Sequence, residues 1–280
     1  MISDGEGQMR IRANFHTHTS FCDGRDTAQA MAEQACAIGF NRLGFSGHMD
    51  ADIHMDLAAY QKEIFRLREV YAGRLEIFCG VELDNLYDPS VGEGMDYVIG
   101  STHFLDVPSE KPMSVDAGEE EMETLAMEFF DGDYYALARA YYELEAKVYD
   151  RLHCTFVGHF DLVTRFNDSM HFLDEEDPRY TGPALDAMEY LVSKDIPFEI
   201  NCGAVNRGRK KELYPHPYLL RKLKELGGEI VISSDAHQKE LLDGGFELAI
   251  GSAISCGFTH INLLKRDWKG RICWEQQALR

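Results

Sequence analysis

Six apolar segments of this chain run into a histidine, aspartate or glutamate at their carboxyl ends, and helical patterns lie between most of them. The segments 11–15, 42–47, 75–81, 96–102, 154–158 and 229–234 lead to His16 with His18, His48, Glu82, His103, His159 and Asp235 with His237. A seventh segment, 196–201, ends at Asn201. Repeated strand-then-helix units without a break call for a parallel sheet covered by helices, either doubly wound or closed. Closure is the expectation, because only a barrel of the TIM type brings all those ends to one mouth.

The intervening patterns predict the helices. Asp26 reads as an N-cap before Ala28, Met31, Ala32, Ala35 and Ile38, with Gly39 as the stop; Asp56 precedes Leu57, Tyr60, Ile64, Leu67 and Tyr71. One periodic helix is expected over 134–152, others over 183–194 and 218–226, and a last short segment over 259–263. The stretch 104–133 breaks the rhythm. It is acidic at 119–121 and then partly helical, and it reads either as a solvated loop or as a lid over a site. No Pro/Gly/Ser-rich linker divides the chain, so one catalytic domain over 1–280 is expected.

Charge narrows the range of partners. With 28 Lys plus Arg against 48 Asp plus Glu, the net charge of −20 argues against a nucleic-acid surface or docking on anionic lipid. The acidic start lacks signal-peptide regions and no apolar run approaches a membrane span of ~20 residues, so a cytoplasmic location is expected. Seven cysteines, an odd number without a C-x-x-C, mostly sit in apolar segments and read as buried thiols. Cys22 and Cys202 flank site positions, where packing is their expected role.

Residues i and i+2 of an extended chain point the same way, so His16 and His18 converge on one point. Two convergent imidazoles alone specify little; the joint set of His16, His18, Asp23, His48, Glu82, His103, His159, Asp235 and His237 specifies much more. Nine such groups exceed the needs of one tetrahedral zinc or of two ions, and three divalent ions fit better. Glu82, with two oxygens, is the best bridging ligand, and mixed N/O donors without thiolate suit Zn²⁺, Mn²⁺ or Fe²⁺. Such a centre is net positive and lets an acidic protein hold an anion. The other histidines, His54, His153, His171, His216 and His260, are assigned to surface or capping roles.

The complete set, His16-x-His18 with Asp23, then His48, Glu82, His103, His159 and Asp235-x-His237, resembles the ligand pattern of the polymerase and histidinol phosphatase (PHP) family. That resemblance spans about residues 10–265 and implies a trinuclear metal site on a distorted seven-stranded β/α barrel. Within the family the chain is most similar to the histidinol-phosphatase branch, through 100–106, 158–166 and 199–208 followed by Tyr214-Pro215; 201–209 departs from the branch's usual form. Arg165 and Arg207, with Arg209 as substitute, are the expected phosphate ligands, since a guanidinium grips two oxygens at once.

The expected reaction is metal-dependent hydrolysis of a small phosphorylated metabolite, L-histidinol phosphate first, with Asp235, His237 and Glu82 as the catalytic core. Three rivals stand beside it. A phosphoesterase acting on nucleotides or oligonucleotides needs base-contacting residues at the mouth; a binuclear amidohydrolase needs a bridging lysine that no strand end carries. A non-catalytic, metal-stabilised domain is free to lose ligands, and this chain keeps all nine.

Overall fold

The computed structural model describes residues 10–279. Its strands are β1 (Ala13–Asn14), β2 (Arg42–Phe45), β3 (His48–Met49), β4 (Glu76–Asp84), β5 (Tyr97–Ser101), β6 (Phe104–Leu105), β7 (Met113–Ser114), β8 (Phe156–Val157), β9 (Phe198–Asn201), β10 (Ile230–Ser233), β11 (His260–Arg266) and β12 (Ile272–Ala278). The helices are α1 (Ala28–Ala37), α2 (Leu57–Val70), α3 (Glu119–Phe129), α4 (Tyr134–Glu145), α5 (Val148–Leu152), α6 (Asn167–Met170), α7 (Pro178–Val192), α8 (Gly203–Asn206), α9 (Pro217–Glu225) and α10 (Phe246–Ser255).

Seven strands pair in the order β1-β2-β4-β5-β8-β9-β10, all parallel, with β3 also on β4. A parallel bridge from Thr17 to Ala236 joins the two edges, His18 N donating to Ala236 O at 2.9 Å and Ala236 N to His16 O at 3.3 Å. The sheet is therefore a nearly closed barrel, as the strand-end pattern predicts. Tyr97 fills its interior: its hydroxyl donates to Phe15 O (2.7 Å) and Phe45 O (3.1 Å), and its ring occupies the space that a side chain at Gly80 would need. Burying such a ring contributes on the order of 2 kcal/mol.

The antiparallel hairpin β11–β12 seals the amino-terminal end. Trp274 packs edge-on against Phe156, Arg42 donates to Glu275 (2.6 Å), and Arg266 pairs with Asp96 (2.6 Å) while its backbone N–H reaches Glu76 (3.1 Å). These partners sit at the starts of barrel strands, so the carboxyl end is the one left open.

Several expected boundaries change. Thr27, not Asp26, caps α1, accepting from Ala30 N at 3.2 Å; Asp26 instead binds Lys239 N at 3.0 Å. The helix expected over 134–152 is two, α4 and α5, broken at Ala146 and Lys147. Helix α7 starts at Pro178 behind an Asp177 cap, where a first-turn proline gives up only an N–H that no helix bond uses, and Pro183 lies inside the helix. The end of the fold is a full hairpin, not the single segment 259–263. The 104–133 stretch is neither bare loop nor wholly helical: β6 pairs with β7, and α3 buries Met122, Leu125 and Ala126 beneath an acidic outer face. His153 and His171 end helices in the left-handed region and His216 caps α9, as assigned. All seven cysteines are free thiols. Among the described residues no helix is long and apolar enough to cross a membrane.

Candidate metal centre

The nine side chains singled out in the sequence lie together at the open end of the barrel, forming four overlapping groups of close donor atoms: His18/Asp23/His48/His237, His16/Glu82/His159, His16/His18/Asp235 and His48/Glu82/His103. The strand geometry accounts for it. Thr17, between the two histidines, points away and donates to Gly44 O (2.7 Å), which turns His16 and His18 inward together. Glu82 stands opposite His48 in the β3–β4 register, so the two share a face.

Glu82 is the hub. Its Oε1 lies 2.7 Å from His159 Nε2 and 3.2 Å from His103 Nε2; its Oε2 lies 3.0 Å from His16 Nε2, 3.1 Å from His48 Nδ1 and 3.4 Å from His18 Nε2. Ser101 Oγ donates to Oε1 at 2.9 Å. Burial opposes the charge of Glu82, yet His48, His16 and His103 hold it well below the ordinary carboxylate range. His18 shows the converse: burial and the neighbouring His237 and His48 push it down to about 3, leaving a neutral imidazole.

Carboxylates behind the histidines orient them. Glu199 lies 2.6 Å from His16 Nδ1 and accepts His159 N at 2.9 Å; Asp84 accepts His103 N at 2.7 Å and stands 3.5 Å from its Nδ1. With His16 Nδ1 committed to Glu199, its Nε2 offers a lone pair toward the centre. Sequence reasoning assigned neither residue a role. Asp84 was findable, since it follows Glu82 at the same two-residue spacing that links His16 to His18.

Asp235 closes the centre from the last barrel strand, its Oδ1 lying 3.2 Å from His18 Nε2 and 3.7 Å from His16 Nε2. Its φ of 50° is in the left-handed region, rare for a non-glycine residue and typical of functional sites. Burial disfavours its ionisation, but Arg207 and His16 hold it well below the usual range. His237 reaches Asp23 at 3.0 Å and Arg207 Nη1 at 2.9 Å, while Arg207 Nη2 donates to Asp235 Oδ2 at 3.0 Å. Gly203 is required here, because a Cβ would collide with both Asp235 and the Arg207 guanidinium.

The donor set fits divalent cations. Buried His18 Nε2 and His48 Nδ1 face Glu82 without a hydrogen-bond partner, and three carboxylates face imidazole nitrogens across gaps that suit an oxygen- and nitrogen-liganded ion.

Above the centre opens a small cavity of about 140 Å³. Arg165, Arg207, Arg209, Tyr214, Leu162 and Asp116 complete its wall. Arg165 Nη1 donates to Asp116 at 2.6 Å, and Nε of both Arg165 and Arg207 is buried without a partner. Of the acidic residues in the 104–133 stretch, Asp116 alone lines the cavity. The two arginine loops are joined behind the wall: Lys210 Nζ donates to Thr164 Oγ1 (2.7 Å) and approaches Glu175 (3.4 Å), and Asp161 accepts His216 N (2.7 Å).

A model of the PHP domain matches residues 14–202. The "Probable histidinol-phosphatase" of Deinococcus radiodurans is 31% identical over 242 residues, 80% of this chain and 85% of that protein. The "Histidinol-phosphatase" of Bacillus subtilis is 25% identical over 255 residues, 80% of this chain and 92% of that protein. The solved structure of histidinol phosphate phosphatase from Lactococcus lactis, complexed with zinc, L-histidinol and phosphate, has the same fold. Its TM-score is 0.73 at 20% identity, covering 94% of this chain and 98% of that one.

Proposed function

The chain belongs to the PHP domain family, and on that premise we propose that it is a metal-dependent phosphatase hydrolysing L-histidinol phosphate to L-histidinol and phosphate. The observation that carries this reading is the convergence of nine imidazole and carboxylate donors beneath a cavity rimmed by arginines. The relatives' names and the zinc, histidinol and phosphate of the Lactococcus lactis protein support it. Three divalent ions, zinc, manganese or iron, account for the full donor set: His16, His18, Asp23, His48, Glu82, His103, His159, Asp235 and His237 would hold them.

When bound, such ions supply Lewis acidity, drawing charge from phosphoryl oxygens and acidifying water. The residues do the rest. Glu82 gathers five histidines around one carboxylate and fixes the spacing of the centre. Arg207 and Arg165 bind the non-bridging oxygens, and their unpaired Nε–H groups are donors already stripped of water. Water oxygen bonds to phosphorus as the ester P–O bond breaks, and the protons leaving that water and reaching the alkoxide pass through Asp235 and His237, which flank Arg207.

Phosphate release from L-histidinol phosphate by protein reconstituted with Zn²⁺ or Mn²⁺, abolished by chelation and restored by metal, is the expected result. Faster turnover of nucleoside monophosphates would favour the nucleotide reading, and amidase activity without phosphatase activity the amidohydrolase one.

A further inference from the structure

Three of the four carboxylates on the cavity wall, Asp23, Glu82 and Asp235, belong to the candidate metal groups. The fourth is Asp116, which comes not from a strand end but from the turn between β7 and α3. That turn is built to hold it: Ser114 Oγ donates to Asp116 Oδ1 at 2.9 Å and accepts the backbone N–H groups of Asp116 and Ala117 at 3.0 Å each. Asp116 Oδ2 accepts Arg165 Nη1 at 2.6 Å. Burial works against its charge, but Arg165, His103 and Ser114 hold its carboxyl below the usual range, and its side chain faces the same cavity as the nine donors.

A carboxylate offers about four lone-pair sites, and Ser114 and Arg165 use two. We propose that Asp116 is the specificity residue for the leaving group: its carboxylate receives the ammonium or imidazolium carried by the alcohol, while Arg165 links it to the phosphate. The bound ester then completes an alternating series of phosphate, Arg165, Asp116 and substrate cation. This rests on the phosphatase reading and adds to it the residue that reads the charge of the alcohol. Charge complementarity of this kind selects against neutral and anionic alcohols more than it raises affinity for phosphate.

The test compares kcat/KM for L-histidinol phosphate with that for phenyl phosphate, whose leaving group carries no cation. In Asp116→Asn the ratio should fall by about tenfold or more, through KM for the cationic ester, with inhibition by free L-histidinol weakened in parallel. If Asp116 only steadies Arg165, both esters lose activity equally, the ratio stays fixed and the proposal is overturned. Should Asp116→Asn fail to fold, Asp116→Glu carries the test, since moving the charge by one methylene must also change the ratio. A wild-type enzyme that hydrolyses phenyl phosphate but not L-histidinol phosphate would sink the functional reading itself; one that cleaves both with an invariant ratio sinks only this inference.

Discussion

The floor and the rim of the cavity are built by different means. The floor uses side chains at the carboxyl ends of hydrogen-bonded strands, backed by buried carboxylates such as Glu199 and Asp84, so its geometry follows from the sheet itself. The rim uses Asp116, Arg165, Arg207 and Arg209 on connecting segments that steady one another through side-chain contacts. Under the proposed function the difference would separate two tasks: a floor fixed by the sheet would set the chemistry, and a rim on connecting segments would set which ester is cut.

Substitutions can test that division. The largest effect should come from the floor. Glu82→Gln removes the charge that balances five histidines, so elemental analysis should show loss of more than one equivalent of metal and activity should vanish; full metal retention would refute the hub assignment. Next comes the rim. Arg207→Ala should cost ~2 to 4 kcal/mol in kcat/KM with metal content unchanged, and Arg207→Lys should recover part of it. Metal loss in Arg207→Ala would mean that, through Asp235, the rim and floor are one unit. The smallest is Glu199→Gln, which keeps the shape but loosens His16 and should weaken metal affinity by about 10- to 100-fold, read by competition with a chelator. Unchanged affinity would deny the buried carboxylates their orienting role.

The nine ligands of the floor were legible in the sequence, and so were the rim arginines Arg165, Arg207 and Arg209; the carboxylates that hold both in place were not, for a physical reason. Ligands at strand ends are announced by the apolar runs before them and by two-residue spacing, both local signals. Glu199 sits inside a strand between Phe198 and Ile200 and carries no such mark; only its distance to His16 reveals it. Asp116 is one acid in an acidic stretch, and its neighbour Arg165 is remote in sequence. The same limit applies to the fold. The alternation of β12 leaves every residue partly or fully exposed, so no apolar face signals a strand outside the barrel. Helical periodicity runs on through the α4–α5 break because Val148 is buried in phase with Tyr141 and Leu144 packs beside it.

The bridge between Thr17 and Ala236 has a consequence for how the protein is made. His16 and His18 emerge from the ribosome long before Asp235 and His237, their neighbours across the seam. No nascent chain that stops short of the last barrel strand possesses the whole centre, whatever its helices have already done. Such long-range closure is slow because loop entropy is lost before the contact forms. Cations held by donors from both sides of the seam would act as a clasp on the closed barrel alone, because those donors meet only once the seam has formed.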